Sequence, residues 1–397
     1  MQQPWRRIPL NLQEKVQNKI QDMINRRIIE PVHGFSKWQS PLVIVPKAGG
    51  DIRICVDLRL VNKAVRPEKY PIPTIDDVTA KLEGCAVFST LDLRDAFHHV
   101  QLDEESQELT TFVTHTGLYR YKVLMFGLCS ASEIFQRIME QRIINGIPGA
   151  INIIDDIIVG GPTRRIHDER LHRVMGRCKK NNLEFNEGKC VIGREKVKFV
   201  GHTISKDGIE MTPDKIDAIA SFRIPKDKQE LRSFLGLVNY AANRFRPQLA
   251  TMTAPLRELT KLNAEFSWDE AAMKAFQNLK ELLKKVVRLG FYNKNDRTLL
   301  YADASPVGLG AVLAQLNKNG AARVVTCASR ALSEVERRYS QTEKEALALV
   351  WAVCRLDYYL QGRVHISNRS QTSGVHVSTP CQSIRTSRSM DHENPTV

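Results

Sequence analysis

Apolar positions recur along this chain with two periods, one helical and one strand-like, and the switches between them mark its elements. Leu12, Val16, Ile20, Met23, Ile24 and Ile28 share one helix face, with Asn11 as the expected cap, Glu14 three residues on and Pro31 as the stop. From Pro41 to Val56 the pattern predicts strands bracketing the basic, glycine-bearing loop Lys47 to Asp51. Tyr70-Pro71-Ile72-Pro73 reads as a rigid connector before a helix over Thr74 to Leu82. Val87 to Leu93 is strand-like, and Met125 to Met139 leads into a helix. Gly149 to Gly161 carries two β-branched runs around adjacent aspartates and predicts a hairpin, followed by a basic helix. Pro213 opens another helix, and Lys228 to Phe245 forms the next, with Leu231, Phe234, Leu235, Val238 and Phe245 inward. Ser267 to Glu270 reads as a capping box before a helix over Ala271 to Val286. Strands are expected at Leu299 to Asp303, after a Gly308/Gly310 turn up to Gln315, and at Val324 to Ser329; a helix follows over Thr342 to Leu360. Beyond Val364 the periodicity stops, and the Ser/Thr-rich tail reads as disordered.

Acidic residues sit inside the buried-looking runs. Asp155 and Asp156 occupy the expected hairpin turn, where aspartate is an ordinary residue. The favoured short turns, however, want a glycine that is missing here, and adjacent carboxylates beside buried strands repel unless a cation lies between them. Turn and metal site both remain open on the hairpin alone. Asp92, within a second strand-like run, adds a third carboxylate, and three convergent acids make an oxygen-rich site suited to Mg²⁺.

At 397 residues the chain is too long for one core, so two to four domains are expected. A hydrophobic fraction of 42% with 26% charged residues belongs to an ordinary soluble globular protein. The net charge of +14 asks for a polyanionic partner. Residues 164–198 concentrate eleven Lys and Arg against five Asp and Glu, though much of such a run is usually a solvated face. Eight scattered cysteines without Cys-x-x-Cys argue against zinc and disulfides. Neither a signal peptide nor a membrane span is recognised, so a cytoplasmic or nuclear location is expected.

Five motifs in order then resemble the polymerase of gypsy-type LTR retrotransposons, related to retroviral reverse transcriptases. Val45-Pro46-Lys47 with Arg53 to Arg59 is similar to the fingers motif, and Leu91-Asp92-Leu93 to motif A. Phe126-Gly127-Leu128-Cys129 with Phe135-Gln136 is similar to motif B. Ile154-Asp155-Asp156 resembles the Tyr-X-Asp-Asp box, and Phe199 to His202 the primer grip. The resemblance implies an α+β right-hand polymerase followed by a connection segment and an incomplete RNase H-like α/β domain. The expected divisions are an N-terminal helix leading into the fingers (1–40), a fingers and palm core (41–208), thumb-like helices (209–262), a connection (263–296), a truncated RNase H-like domain (297–363) and a tail (364–397).

By the same resemblance, Asp92, Asp155 and Asp156 would hold two Mg²⁺ ions, with Mn²⁺ as a substitute. Lys47 and Arg53, otherwise plain surface charges, would clamp the triphosphate. Phe97, otherwise a core aromatic, would be a steric gate against a ribose 2′-OH. Phe126 and Gln136 would line the pocket for the new base pair, and Lys189 would protonate the leaving pyrophosphate. The implied partners are an RNA/DNA template-primer and dNTPs, with no zinc and no membrane. Asp303 and Glu345 match the first two RNase H carboxylates, but Val364 to Ser370 has no acid where the third belongs, so RNase H activity is expected to be lost. Ile153, Met125 and Ser132 stand where the family usually has Tyr, Pro and Pro. The alternatives are a remnant that only binds nucleic acid, and a metal-dependent nuclease.

Overall fold

The computed structural model describes residues 2–46, 51–285, 287–317, 319–360, 364–368 and 371–376, the last two ranges as backbone. The chain divides into two compact units, Met1–Lys81 with Cys85–Arg194, and Leu82–Gly84 with Glu195–Val397.

The first unit opens with α1 (Leu10–Asn25), which buries Val16, Ile20 and Met23. Pro9 precedes this helix and no side chain caps it, so Asn11 is not its cap. It also ends well before Pro31. Arg27 takes a left-handed φ of 57°, and Pro31 falls in β1 (Ile29–Val32), an edge strand where a missing N–H is tolerated. The strands β2 (Ser40–Pro46) and β3 (Ile52–Val56) pair antiparallel as expected. Helices α2 (Val61–Ala64) and α3 (Ile75–Leu82) lead to β4 (Val87–Asp92). Then come α4 (Glu104–Leu109), β5 (Phe112–Val113), β6 (Leu118–Tyr121) and α5 (Ala131–Met139), which runs on into a π-helical turn over Glu140–Ile144. The predicted hairpin is β7 (Ala150–Ile153) with β8 (Asp156–Gly161), followed by α6 (Arg164–Lys180) and β9 (Val191–Arg194). These strands form two sheets, ordered β1-β6-β5-β2-β3 and β7-β8-β4-β9.

Asp57, just after β3, receives Arg59 at 2.7 Å and Arg6 at 2.9 Å. The Arg59 guanidinium, hydrogen-bonded to it, and Arg6 hold its carboxyl down to about 2 against the opposing effect of burial. A depressed folded pKa stabilises above the ordinary carboxylate value of ~3.9 and stops doing so as pH falls through the folded value. Asp57→Asn is therefore expected to lower the melting temperature at neutral pH, and the gap from wild type should shrink on acidification; thermal unfolding at a series of pH values checks this.

Part of the basic run in α6 is structural. Arg170 donates to Gly160 O at 2.7 Å, and Arg177 to Ile143 O at 2.8 Å and Asn145 O at 2.6 Å. His167 is buried, its Nε2 2.8 Å from Ser89 Oγ and its Nδ1 2.8 Å from Asp168 Oδ1. The order Ser–His–Asp mimics a nucleophilic triad, but Ser89 and His167 are closed to solvent. They brace α6 against β4.

The second unit begins with β10 (Lys196–Phe199), β11 (His202–Ser205) and β12 (Gly208–Met211). The helices α7 (Pro213–Ala220), α8 (Lys228–Ala242), α9 (Leu249–Glu258) and α10 (Glu270–Lys284) follow. The α10 cap is Asp269, which accepts from Ala272 N at 2.7 Å, and not Ser267. The short β13 (Arg288–Leu289) completes a sheet ordered β10-β11-β12-β13.

The last part holds β14 (Arg297–Ala304), β15 (Gly308–Leu316), β16 (Ala322–Ala331), α11 (Gln341–Arg355), α12 (Asp357–Leu360), β17 (Val364–Asn368) and β18 (Gln371–His376). The sheet order is β16-β15-β14-β17-β18, with β17 parallel to β14. Two expectations fail here. Gly308 and Gly310 lie within β15 and not in a turn; a Cβ on Gly310 would stand 2.5 Å from Pro247 O, so close backbone approach is what requires glycine. And the chain from Val364 to His376 contributes two strands instead of starting a disordered tail, because β14 offers an edge for a parallel partner. The remainder of the predicted tail, 377–397, lies outside the described residues.

Candidate active site

Asp92 ends β4 and Asp156 begins β8. The antiparallel register sets them directly opposite each other, and Ile153 of β7 pairs with Asp156 from the other side. Asp155 occupies the turn, so all three predicted acids meet at one end of this sheet. Side chains directly opposed across an antiparallel pair share a face with Cβ atoms ~4.5–5.5 Å apart, and like charges there repel. Partial burial, then the charges of Asp155 and Asp92, push the Asp156 carboxyl above the usual carboxylate range, with Lys189 offsetting some of it. Lys189 Nζ stands 3.4 Å from Asp92 Oδ2.

Among the described residues no three His, Cys, Asp or Glu side chains are grouped so as to hold a metal ion. The strand register brings the three residues to one end of the sheet, while the Asp92 side chain leans on Lys189. The donor set nonetheless fits a hard divalent cation. It is all oxygen, and its surplus negative charge is only partly offset by one exposed lysine.

The turn achieves the reversal without glycine. Ile154 takes φ 57°, a left-handed conformation that costs a β-branched residue about 1–3 kcal/mol. Gln136, expected in the nucleotide pocket, is instead buried on α5, and its Oε1 accepts from Ile154 N at 2.7 Å. Asn152, a polar residue in the apolar run Ile151 to Ile153, is buried beside it and escaped the sequence analysis.

Phe97 sits in a 3-10 turn, Ala96–His99, entered through left-handed Asp95, which is ion-paired to Arg26. Its ring is only 5% exposed, with Phe126 4.5 Å and Phe135 5.4 Å away between centroids. Phe126 is the open member at 49%, and the Arg53 guanidinium lies 5.3 Å over its ring. Arg53, Phe126 and Phe97 are thus in one contiguous cluster, whereas Lys47 lies outside the described residues.

In the second unit Asp303 is paired with Gly310 and lines a cleft of ≈ 490 Å³ with Gln248, Thr251 and Tyr301. Its neighbours Ala302 and Ala304 join Ala348 and Ala352 of α11 in the core. Strand alternation therefore turns Asp303 to the opposite face of β14. Glu345, half-buried near the start of α11, receives Gln341 Nε2 at 3.3 Å.

Residues 45–204 match the reverse transcriptase (RNA-dependent DNA polymerase) family, and residues 268–367 match the RNase H-like domain found in reverse transcriptase. The chain carries a reverse transcriptase domain followed by an RNase H-like domain. The first of these contains all three acids and the Arg53–Phe126–Phe97 cluster. Its homologues are retrotransposon Pol polyproteins, in keeping with the gypsy-type motifs. The Pol polyprotein from transposon 412 of Drosophila melanogaster is 34% identical over 364 residues, 90% of this chain and 29% of its own length. The Tf2-3 polyprotein of Schizosaccharomyces pombe is 31% identical over 330 residues, 82% of this chain and 24% of its own. The chain thus spans under a third of either relative. Among solved structures, the foamy viral protease-reverse transcriptase in complex with RNA/DNA hybrid has TM-score 0.81 and 22% identity, covering 92% of this chain and 49% of that one. The same protein in complex with dsDNA has TM-score 0.82 and 21% identity, covering 98% and 83%. These neighbours share the fold of reverse transcriptase and RNase H-like domains. No helix among the described residues is long and apolar enough to cross a membrane.

Proposed function

We propose that the chain is an RNA-directed DNA polymerase that adds deoxynucleotides to a primer 3′-OH by two-metal catalysis. The observation that carries this is the register setting Asp92 opposite Asp156, with Asp155 in the adjoining turn. Bound there, a pair of Mg²⁺ ions supplies the charge neutralisation and alignment that in-line phosphoryl transfer needs. Asp92, Asp155 and Asp156 would hold them.

The remaining roles fall to this chain's own side chains. The primer 3′-OH would lose its proton to water as its oxygen bonds to the α-phosphorus of the dNTP, and the bond from that phosphorus to the bridging oxygen would break so that pyrophosphate leaves. Lys189, which stands 3.4 Å from Asp92, would give that leaving group a proton. Arg53 offers a fixed positive charge to the triphosphate, Phe126 a ring face to the base or sugar, and Phe97 the bulk behind it. The net charge of +14 favours a template-primer whose grip weakens with salt.

Primed RNA incubated with dNTPs and Mg²⁺ tests this. Extension supports the polymerase, tight binding without extension supports a nucleic-acid-binding remnant, and template cutting supports a nuclease.

RNase H activity is expected to be absent. The register beside β14 pairs Asn368 with Ala302, next to Asp303, and Val364 to Asn368 contains no acid. A labelled RNA strand in an RNA/DNA hybrid should stay full length in Mg²⁺; shortened RNA would contradict this.

A further inference from the structure

Gln136 and Asn152 are buried amides in an otherwise apolar setting, each 1% exposed, with Phe135 and Met139 flanking Gln136 on α5. Buried amides are tolerated when their donors and acceptors are matched. Here the matching converges on one place. Gln136 Nε2 donates to Asn152 O and Oδ1, both at 3.2 Å, and Asn152 Nδ2 donates to Gln136 Oε1 at 3.2 Å. The pair then takes hold of both backbone polar groups of Ile154. Ile154 N donates to Gln136 Oε1 at 2.7 Å, and Asn152 Nδ2 donates to Ile154 O at 2.9 Å.

Ile154 is the residue with a left-handed φ of 57°, and it immediately precedes Asp155 and Asp156. Glycine would enter that conformation freely, but isoleucine must be held there by its surroundings. We propose that Gln136 and Asn152 are positioning residues that clamp Ile154 in this conformation and so aim the Asp155 and Asp156 carboxylates toward Asp92. This rests on the polymerase assignment of those acids, to which it adds a support outside the substrate pocket.

The test uses Gln136→Met, which keeps volume and removes the hydrogen bonds, and Asn152→Ala as a second lesion. Each is compared with and without Ile154→Gly in the full chain. Gln136→Met is expected to lower kcat on the order of 10²-fold, the scale of an ~1 Å misplacement, while KM for dNTP moves little. In the Ile154→Gly background the same substitution should cost far less, a non-additivity expected only of coupled residues.

Two readouts do not depend on turnover: hydrogen exchange at the Ile154 amide, and Mn²⁺ affinity by electron paramagnetic resonance. Gln136→Met should speed the exchange and weaken Mn²⁺ binding. Unchanged exchange and Mn²⁺ affinity would overturn the clamp, as would additive effects of Gln136→Met and Ile154→Gly, or a lowered melting temperature with kcat intact. If wild type fails to extend primers, the polymerase assignment falls, and the exchange and Mn²⁺ measurements still decide the clamp.

Discussion

Asp155→Asn is expected to cut deoxynucleotide incorporation on a primed RNA template by ~10³-fold or more, because a metal-bound transition state draws several kcal/mol from its ligands. Binding of the template-primer should change little, since phosphate contacts by Lys and Arg dominate that affinity. The neighbouring Asp156→Asn should be equally inactive yet more stable than wild type in EDTA. Its carboxyl is pushed above the usual range by partial burial and by Asp155 and Asp92. A raised folded pKa means the ionised group opposes folding, a penalty absent below the unfolded pKa and growing as pH rises through the folded one. The stabilisation by Asn should therefore be present at neutral pH and fade on acidification. Incorporation kinetics and thermal unfolding on the same protein check both halves, and a variant less stable than wild type at neutral pH would contradict the repulsion.

Phe97→Val is expected to admit ribonucleotides. A hydrophobic pocket rejects an analogue that merely adds a hydroxyl by roughly 10²-fold, and that is the selectivity expected to be lost, read as the ratio of kcat/KM for dNTP and rNTP. The ring is almost wholly enclosed by Phe126 and Phe135, so its effect should pass partly through Phe126, the exposed neighbour under Arg53. Phe126→Ala should then relax discrimination as well and raise KM for dNTP. Valine is the safer change at 97, because removing a buried aromatic down to alanine costs ~3–5 kcal/mol of stability. Unchanged selectivity in a folded Phe97→Val protein would remove the gate.

Much of this arrangement was legible along the chain. The β-branched runs around Asp155–Asp156 and the run ending at Asp92 are strands, and the helices over Thr74 to Leu82 and from Lys228 onward appear within a few residues of expectation. Local pattern is sufficient there because each element buries one face on its own period. What escaped depends on partners distant in sequence. Gln136 looks like a pocket residue until its amide is found spent on Ile154, eighteen residues away. Gly310 looks like a turn until Pro247 is found against it. Val364 and Ile366 alternate with His365 and Ser367, but so short a run does not stand out from the Ser/Thr-rich sequence after it, and its pairing with β14 is what shows it to be a strand. Ser89 and His167 meet across 78 residues, a pairing that nothing in either neighbourhood announces.

The most direct test is anomalous diffraction from crystals grown with Mn²⁺, a primer-template and a non-hydrolysable dNTP. Manganese held jointly by Asp92 and the Asp155–Asp156 turn is the predicted result. Manganese bound elsewhere, with Asp92 still engaged only by Lys189, would contradict it.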